Sequence, residues 1–297
     1  MSKTIRKTRR HQISPAEHLE LRVLPTVNVV FNASSGLLKI TGDSADNNIS
    51  IEGKATPGSV DVFINGAFFD DFSNVRSINA NLKDGDDQLL LAAVNIPGNL
   101  TVNLGDGADE LDIDSQPNSS TNPDAVVRIQ GAVKVNLGGD RGDHLDFDDA
   151  IVIGGKALFT GVADVDFNGD GNNANVQLDQ DISFLSDLTI KFSGFGDENG
   201  DNLELDFDNV NVRGETLLDG SDNVERFEMT NSRFEGEFNA NMDDGNDTID
   251  IDNGVAARNV FNSQANFRGG DDNDTLFKGL DNLFARPELI ADFETVV

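Results

Sequence analysis

The chain of 297 residues has no cysteine, no tryptophan, no tyrosine and three histidines. Without cysteine no disulfide holds the fold and no thiol nucleophile exists. All twenty aromatic residues are Phe, so the Trp and Tyr platforms common in sugar sites are missing. A Phe ring has no polar handle and suits dry stacking in a core. No apolar run approaches the roughly 20 residues that span a bilayer. The basic N-terminal stretch is not followed by the apolar segment of about 7–15 residues of a secretory signal, which argues against ordinary signal-peptide secretion. Helical periodicity is almost absent. There is no Ser/His/Asp elbow, P-loop or His-rich cluster, and Gly105-x-Gly107 lacks the strand–helix context of nucleotide binding.

What is present is acid, glycine and repetition. Apolar residues make up 37%, and 29 glycines bring the total to that of an ordinary globular chain. The formal charge is -31. Residues 1–25 run against it, with six basic and two acidic residues, a net of +4. The acidic remainder repels nucleic acid and anionic lipid and attracts cations. Nucleic acid is therefore excluded as a partner, as is a membrane span.

An apolar residue, an Asp/Gly/Asn loop and an apolar–acidic–apolar run recur about every 25 residues. The residues before the loops are Leu82, Leu104, Leu137, Phe167, Phe192, Leu218, Met242 and Phe267, spaced by 22, 33, 30, 25, 26, 24 and 25. The longest step holds the polar insertion Ser115 to Pro123. A fixed period means one unit stacked on copies of itself. Apolar positions alternate with period two, as in half-buried strands. The length suits three short strands per coil, for example Leu100–Leu104, Glu110–Asp114 and Ala125–Ile129. The expected fold is all-β, a parallel β-helix or β-solenoid of about eight to ten coils. Residues 1–26 read as a basic targeting or disordered segment and 27–297 as the solenoid domain. Within it, 27–76 are the N-terminal cap and first coils, 77–276 the regular repeats and 277–297 the C-terminal cap.

Stacking predicts two inward columns. The first is the set of residues before the loops. The second is Leu89, Leu111, Leu145, Val176, Leu203, Val224, Ile249 and Leu276. Asn81, Asn103, Asn136, Asn241 and Asn266, with Asp166 in another coil, are expected either to form an amide ladder or to be simply outward polar residues. Acidic residues follow the loops at Asp112, Asp146, Glu204, Glu225 and Asp250, and more lie within them. Equivalent carboxylates about 5 Å apart repel by about 1–3 kcal/mol a pair. They splay into water, take up protons or bind a divalent cation. Ca²⁺ suits the last, since it takes 6–8 oxygens in flexible geometry. Asp-Gly and Asn-Gly turns also form without metal, so both readings of the loops stay open.

Gly105-Asp-Gly-Ala-Asp109-Glu-Leu111 and Gly269-Gly-Asp-Asp-Asn-Asp274-Thr-Leu276 resemble the calcium-binding Gly/Asp repeat of RTX (haemolysin-type) proteins. That resemblance implies Ca²⁺ as cofactor. By position its ligands are Asp84 with Asp87, Asp106 with Asp109, Asp140 with Asp143, Asp244 with Asp247, and Asp271 with Asp274. The units are not tandem at nine residues, and Asn173 replaces Asp in one copy. The basic N-terminus followed by Leu19-Glu-Leu-Arg22-Val-Leu24 is similar to the LEPR-XLL segment of exported planctomycete-type surface proteins, with Leu21 where Pro is expected and Pro25 where the last Leu is. It implies an extracellular or cell-surface location, where calcium is abundant.

The resulting expectation is a non-enzymatic calcium-binding surface solenoid with a structural or adhesive role, whose partners are calcium and a surface glycan or protein. The alternative is a metal-free scaffold or adhesin. A β-helix polysaccharide lyase or hydrolase is the third reading. A hydrolase needs two carboxylates flanking a bond and a lyase needs basic residues to receive an acidic substrate; a cleft holding a raised-pKa carboxylate beside Arg141, Lys191 or Arg213 would favour this reading, and His144 falls in a loop.

Overall fold

The computed structural model describes residues 27–115, 126–138, 142–148, 150–162, 164–168, 182–192, 202–251 and 258–297. The described residues contain strands and no helix, so the chain is all-β. None of them forms a helix long and apolar enough to cross a membrane.

The strands form three sheets, of twelve, twelve and eight strands among the described residues. From Ser77 onward the chain visits the sheets in a fixed order. Leu100–Asp106 lies in the first sheet, Glu110–Asp114 in the second and Val127–Ile129 in the third. These are the three strands expected for one repeat, within two residues. The next pass supplies Val133–Asn136, His144–Asp148 and Ile151–Ile153, each parallel to its counterpart. Among the described residues antiparallel pairing is confined to the start, where Asn28–Asn32 joins Leu37–Thr41, and Val60–Ile64 lies between Asn48–Gly53 and Ala67–Phe72.

The alternating pattern explains the strands. In Leu100–Asp106 the side chains of Leu100, Val102 and Leu104 are buried, while Thr101 and Asn103 are partly exposed. Each inward residue meets its equivalent in the next pass. Burying one such side chain contributes about 1.5–3 kcal/mol. A single apolar core runs from Leu38 to Leu276. Its rings stack as the all-Phe composition implies. Phe234, Phe261 and Phe284 are in register, with centroids 5.3 and 4.9 Å apart and planes 13° and 3° from parallel.

The expected columns need correction. Leu82, Leu104, Leu137, Phe192 and Met242 are buried at equivalent positions. Leu218 and Phe267 instead align with Ala240, two residues earlier on the same inward face. Phe167 belongs to the second sheet, between Phe147 and Phe207. In that pass the first strand ends at Val162 and the second begins at Asp164, so the Gly/Asn run that follows Phe167 does not join the first sheet to the second. In the second column Leu89, Leu111, Leu145, Ile249 and Leu276 align as expected, joined by Leu205 and Phe227. Leu203 is two residues off, and Val224 is only partly buried. Val176 lies outside the described residues. Residues 277–297 pack Phe284, Ile290 and Phe293 against the core. They add one further parallel strand to each sheet, Leu283–Phe284, Leu289–Ala291 and Thr295–Val296.

An amide ladder runs through part of its expected column. Asn136 Nδ2 donates to Asn103 Oδ1 at 2.7 Å, and Asn103 Nδ2 to Asn81 Oδ1 at 3.4 Å. Lys191 and Asp219 then replace the amides with an ion pair at 2.5 Å. Asn266 bonds instead to Asn239 in the neighbouring column, at 2.7 Å. Asp166 is a second-sheet residue, paired with Asp146 and Asp206.

Candidate functional site

The Gly/Asp loops join the first sheet to the second. Gly105 and Gly107 have φ of +124° and +144°, a region that disfavours side chains. The two aspartates carried over from each loop part company here. Asp84, Asp106, Asp244 and Asp271 are exposed, Asp84 paired in register with Asp106 and Asp244 with Asp271. Asp87, Asp109, Asp143, Asp247 and Asp274 are buried, none more than 1% exposed. Asp140 lies outside the described residues.

The buried set forms a directional ladder along one corner. The Asn47 N–H donates to Asp87 Oδ1 at 2.7 Å, the Asp87 N–H to Asp109 Oδ1 at 2.8 Å, and the Asp109 N–H to Asp143 Oδ1 at 3.1 Å. A second run repeats the pattern. The Glu225 N–H donates to Asp247 Oδ1 at 2.8 Å, the Asp247 N–H to Asp274 Oδ1 at 2.9 Å, and the Asp274 N–H to Glu294 Oε2 at 2.7 Å. Leu203 occupies the rung before Glu225. Each carboxylate thus holds the backbone of the pass before it.

The other oxygen is the unusual part. Asp87 Oδ2, Asp109 Oδ2, Asp247 Oδ2, Asp274 Oδ2 and Glu225 Oε2 are buried and make no hydrogen bond. A buried polar atom without a partner costs about 1–3 kcal/mol, more if charged. Burial, followed by repulsion from neighbouring carboxylates, pushes Asp109 and Asp247 up to about 7. Glu225, whose other oxygen accepts from Ser221 Oγ, is pushed up to about 9, mainly by burial. Asp87 and Asp274 are raised for the same first reason.

For Ca²⁺ the donor chemistry fits: buried carboxylate oxygens that lack partners. Among the described residues no three His, Asp or Glu side chains converge on one point. A cation here would draw on at most two carboxylates and complete its shell with carbonyls and water.

The acidic residues after the loops sort differently from the expected set. Asp112, Asp146, Asp166, Asp206, Glu228 and Asp250 share one register position of the second sheet. Glu204 pairs with Asp164 and Arg226 two residues away, and Glu225 belongs to the buried ladder. Burial and the adjacent Asp146 push Asp112 up to about 7. His144 is a strand residue, paired with Glu110 and Asp164. An open groove of about 450 Å³ includes Asp112, Glu110, Glu52 and Phe63 in its lining, with no basic residue. Of the basic residues considered as catalytic partners, Lys191 is held by Asp219, and Arg141 lies outside the described residues.

Sequence reasoning missed Asn47, Glu225 and Glu294 as ladder members. One signal finds them all: an Asp, Glu or Asn two residues before the first inward apolar residue of the second-sheet strand. The ladder makes a direct prediction. Asp247→Ala leaves the buried Glu225 N–H without an acceptor and should cost about 1–3 kcal/mol in urea unfolding. Asp247→Asn keeps the acceptor and should cost less. Equal losses would show that the hydrogen bond carries no weight.

Comparison with protein-family models, with curated proteins and with solved structures finds no match to the chain.

Proposed function

We propose that the stacked passes form a β-solenoid, a parallel β-helix, that serves as an exported or cell-surface scaffold stabilised by Ca²⁺ at its loop corner. One observation carries this reading: the row of buried carboxylates whose second oxygens lack partners. Such a row needs positive charge, supplied by protons or by a cation. A site drawing on so few carboxylates belongs to the weak class of about 10⁻⁴–10⁻³ M, adequate where calcium is millimolar. The enzyme reading draws less support. Glu225, pushed up to about 9, is 0% exposed and lines neither of the two grooves around Asp112 and Asp109. The groove that holds Asp112 offers carboxylates but no cationic side chain to receive an acidic polysaccharide.

The test is thermal melting across pH, with Ca²⁺ and with EGTA. The raised carboxyls bind protons more tightly folded than unfolded. The stability they contribute is complete below their unfolded value, near 4, and is lost as pH rises through about 7 for Asp109 and Asp247. In EGTA the melting temperature should therefore fall between pH 5 and pH 8. The slope is bounded by about 1.4 kcal/mol per pH unit for each group. Ca²⁺ binds the ionised form, so its stabilising effect should grow over that interval. A melting temperature indifferent to Ca²⁺ at pH 8 removes the metal and leaves the metal-free scaffold.

A further inference from the structure

The outward face of the second sheet changes character near its start. One register position carries acid in successive passes, at Asp112, Asp146, Asp166 and Asp206. In the strands before Asp112 the same position holds Leu90, then Ser50, then Phe63. The short Ser50 between Phe63 and Leu90 leaves room for the open groove of about 450 Å³. One wall is Asn48, Gln88 and Glu110, two residues earlier on the same strands. Its amides are engaged within the wall: Asn48 Nδ2 donates to Gln88 Oε1 and Gln88 Nε2 to Glu110 Oε2, both at 2.7 Å. At the start of the groove Phe63 is set edge-on to Phe68, with centroids 5.7 Å apart. Two buried oxygens are left over. Ser50 Oγ and Asp112 Oδ1 make no hydrogen bond. Glu52 adds a carboxylate to those of Glu110 and Asp112, and no Lys or Arg lines the groove. An adjoining hollow of about 280 Å³ shares Asn48, Gln88 and Glu110 with it. There Asp109 is 1% exposed and its Oδ2 has no partner.

We infer that this groove binds a linear polyamine, with an ammonium at each end and its methylenes across Leu90. The lining decides the ligand class. It is rich in acceptor oxygens, while its amides donate to one another, so it favours a ligand that only donates. An ammonium has three N–H donors and no acceptor. A sugar brings acceptors as well, and an anion meets three carboxylates. Ca²⁺ takes 6–8 oxygens, yet no three His, Asp or Glu side chains converge among the described residues. Spacing calls for two cations. Ser50 and Asp112 are two strand spacings apart, about 10 Å, with Leu90 between them. One ammonium sits between Asp112 and Glu110. The other sits beside Ser50 and Glu52, where the Phe63 ring attracts a cation. The methylenes cover Leu90 as a lysine stem covers apolar surface. A third ammonium, in a triamine, meets Asp109 in the adjoining hollow. The groove's volume lies in the range of small-ligand clefts, about 300–1,000 Å³. The inference does not rest on calcium, and its experiment runs in EGTA.

Titration calorimetry of the full chain compares three probes. Octamethylenediamine carries two ammonium groups on a long chain. Trimethylenediamine carries the same two charges on a short one, and octylamine the same long chain with one charge. Octamethylenediamine should bind about tenfold more tightly than either, since only it makes charged contacts at both ends. Asp112→Asn should weaken its binding about tenfold. Asp271→Asn removes the same charge from an exposed loop far along the stack and should change binding by less than about twofold. A measurement without variants is the amide spectrum: Ser50, Leu90 and Asp112 should shift with octamethylenediamine, and Leu276 should not. Equal affinity for the three probes, or equal losses in the two variants, would leave only general attraction to an acidic surface and overturn the inference. Complete displacement by Ca²⁺ would put the metal in the groove and overturn it as well. Octamethylenediamine binding to a chain that calcium does not stabilise would sink the calcium reading alone, and the reverse would sink this one alone.

Discussion

Gly105→Ala is expected to unfold the chain or to cost more than about 4 kcal/mol, a loss reserved for a few mechanisms. Two of them act together here. The residue sits at φ +124°, and an added Cβ would lie 1.2 Å from the carbonyl oxygen of Lys83 in the preceding pass. That oxygen is backbone and has no side-chain freedom with which to retreat. Lys83 and Gly105 are paired in register, as are Asp84 and Asp106. Separation at this corner therefore pulls on the Asp87 N–H bond to Asp109, now 2.8 Å. It also meets the next pass, because Gly138 is itself packed against the Gly105 carbonyl. Gly66 supplies the control. It has φ +74°, and nothing lies within 4 Å of its added Cβ. Gly66→Ala should cost only the left-handed penalty of about 1–2 kcal/mol. Urea unfolding of both variants decides the matter. Matching midpoints would mean that the loops are not tightly stacked.

The strand plan was legible because its signal is local. Alternating Leu100, Val102 and Leu104, bounded by Gly and Asp, marks a strand whatever surrounds it. Column membership was less legible because inward residues recur at every second position. Leu218 and Phe267 lie two residues from the expected place and are still buried, so burial alone cannot report the shift. Phe167 was misplaced for another reason. A Gly/Asn run marks a break between strands but does not say which two sheets it joins, and here the first-sheet strand ends at Val162 with the second-sheet strand beginning at Asp164, before that run. The buried aspartates were hidden by their type. Asp in a Gly-rich loop reads as an exposed turn former, which holds for Asp84 and Asp106. Asp109 differs because it shares the parity of Leu111 and Ile113 and so faces inward with them. Parity along the strand, not distance from the glycines, separates the ladder from the exposed set.

Phe261→Ala is expected to cost about 3–5 kcal/mol, the range for a fully buried aromatic, and to do so unevenly along the chain. Phe261 is 1% exposed and touches four other rings. It lies flat between Phe234 and Phe284, with centroids at 5.3 and 4.9 Å, and meets Phe238 and Phe267 edge-on. Removing it opens a cavity between consecutive passes and leaves Phe284 with no ring beneath it. In a stack where each unit touches only its neighbours, such a loss is felt chiefly by the adjoining units. The passes from Ala265 onward should then open at lower urea than those before Thr216, and a single transition should become two. Hydrogen exchange can locate the effect. Amides of Ala265–Arg268 and Thr275–Phe277 should lose protection while those of Leu100–Asp106 keep it. Phe261→Leu, which retains most of the volume, should shift the first transition less. Uniform loss of protection from end to end would mean that the core responds as one cooperative unit, and the nearest-neighbour account of this stack would fail.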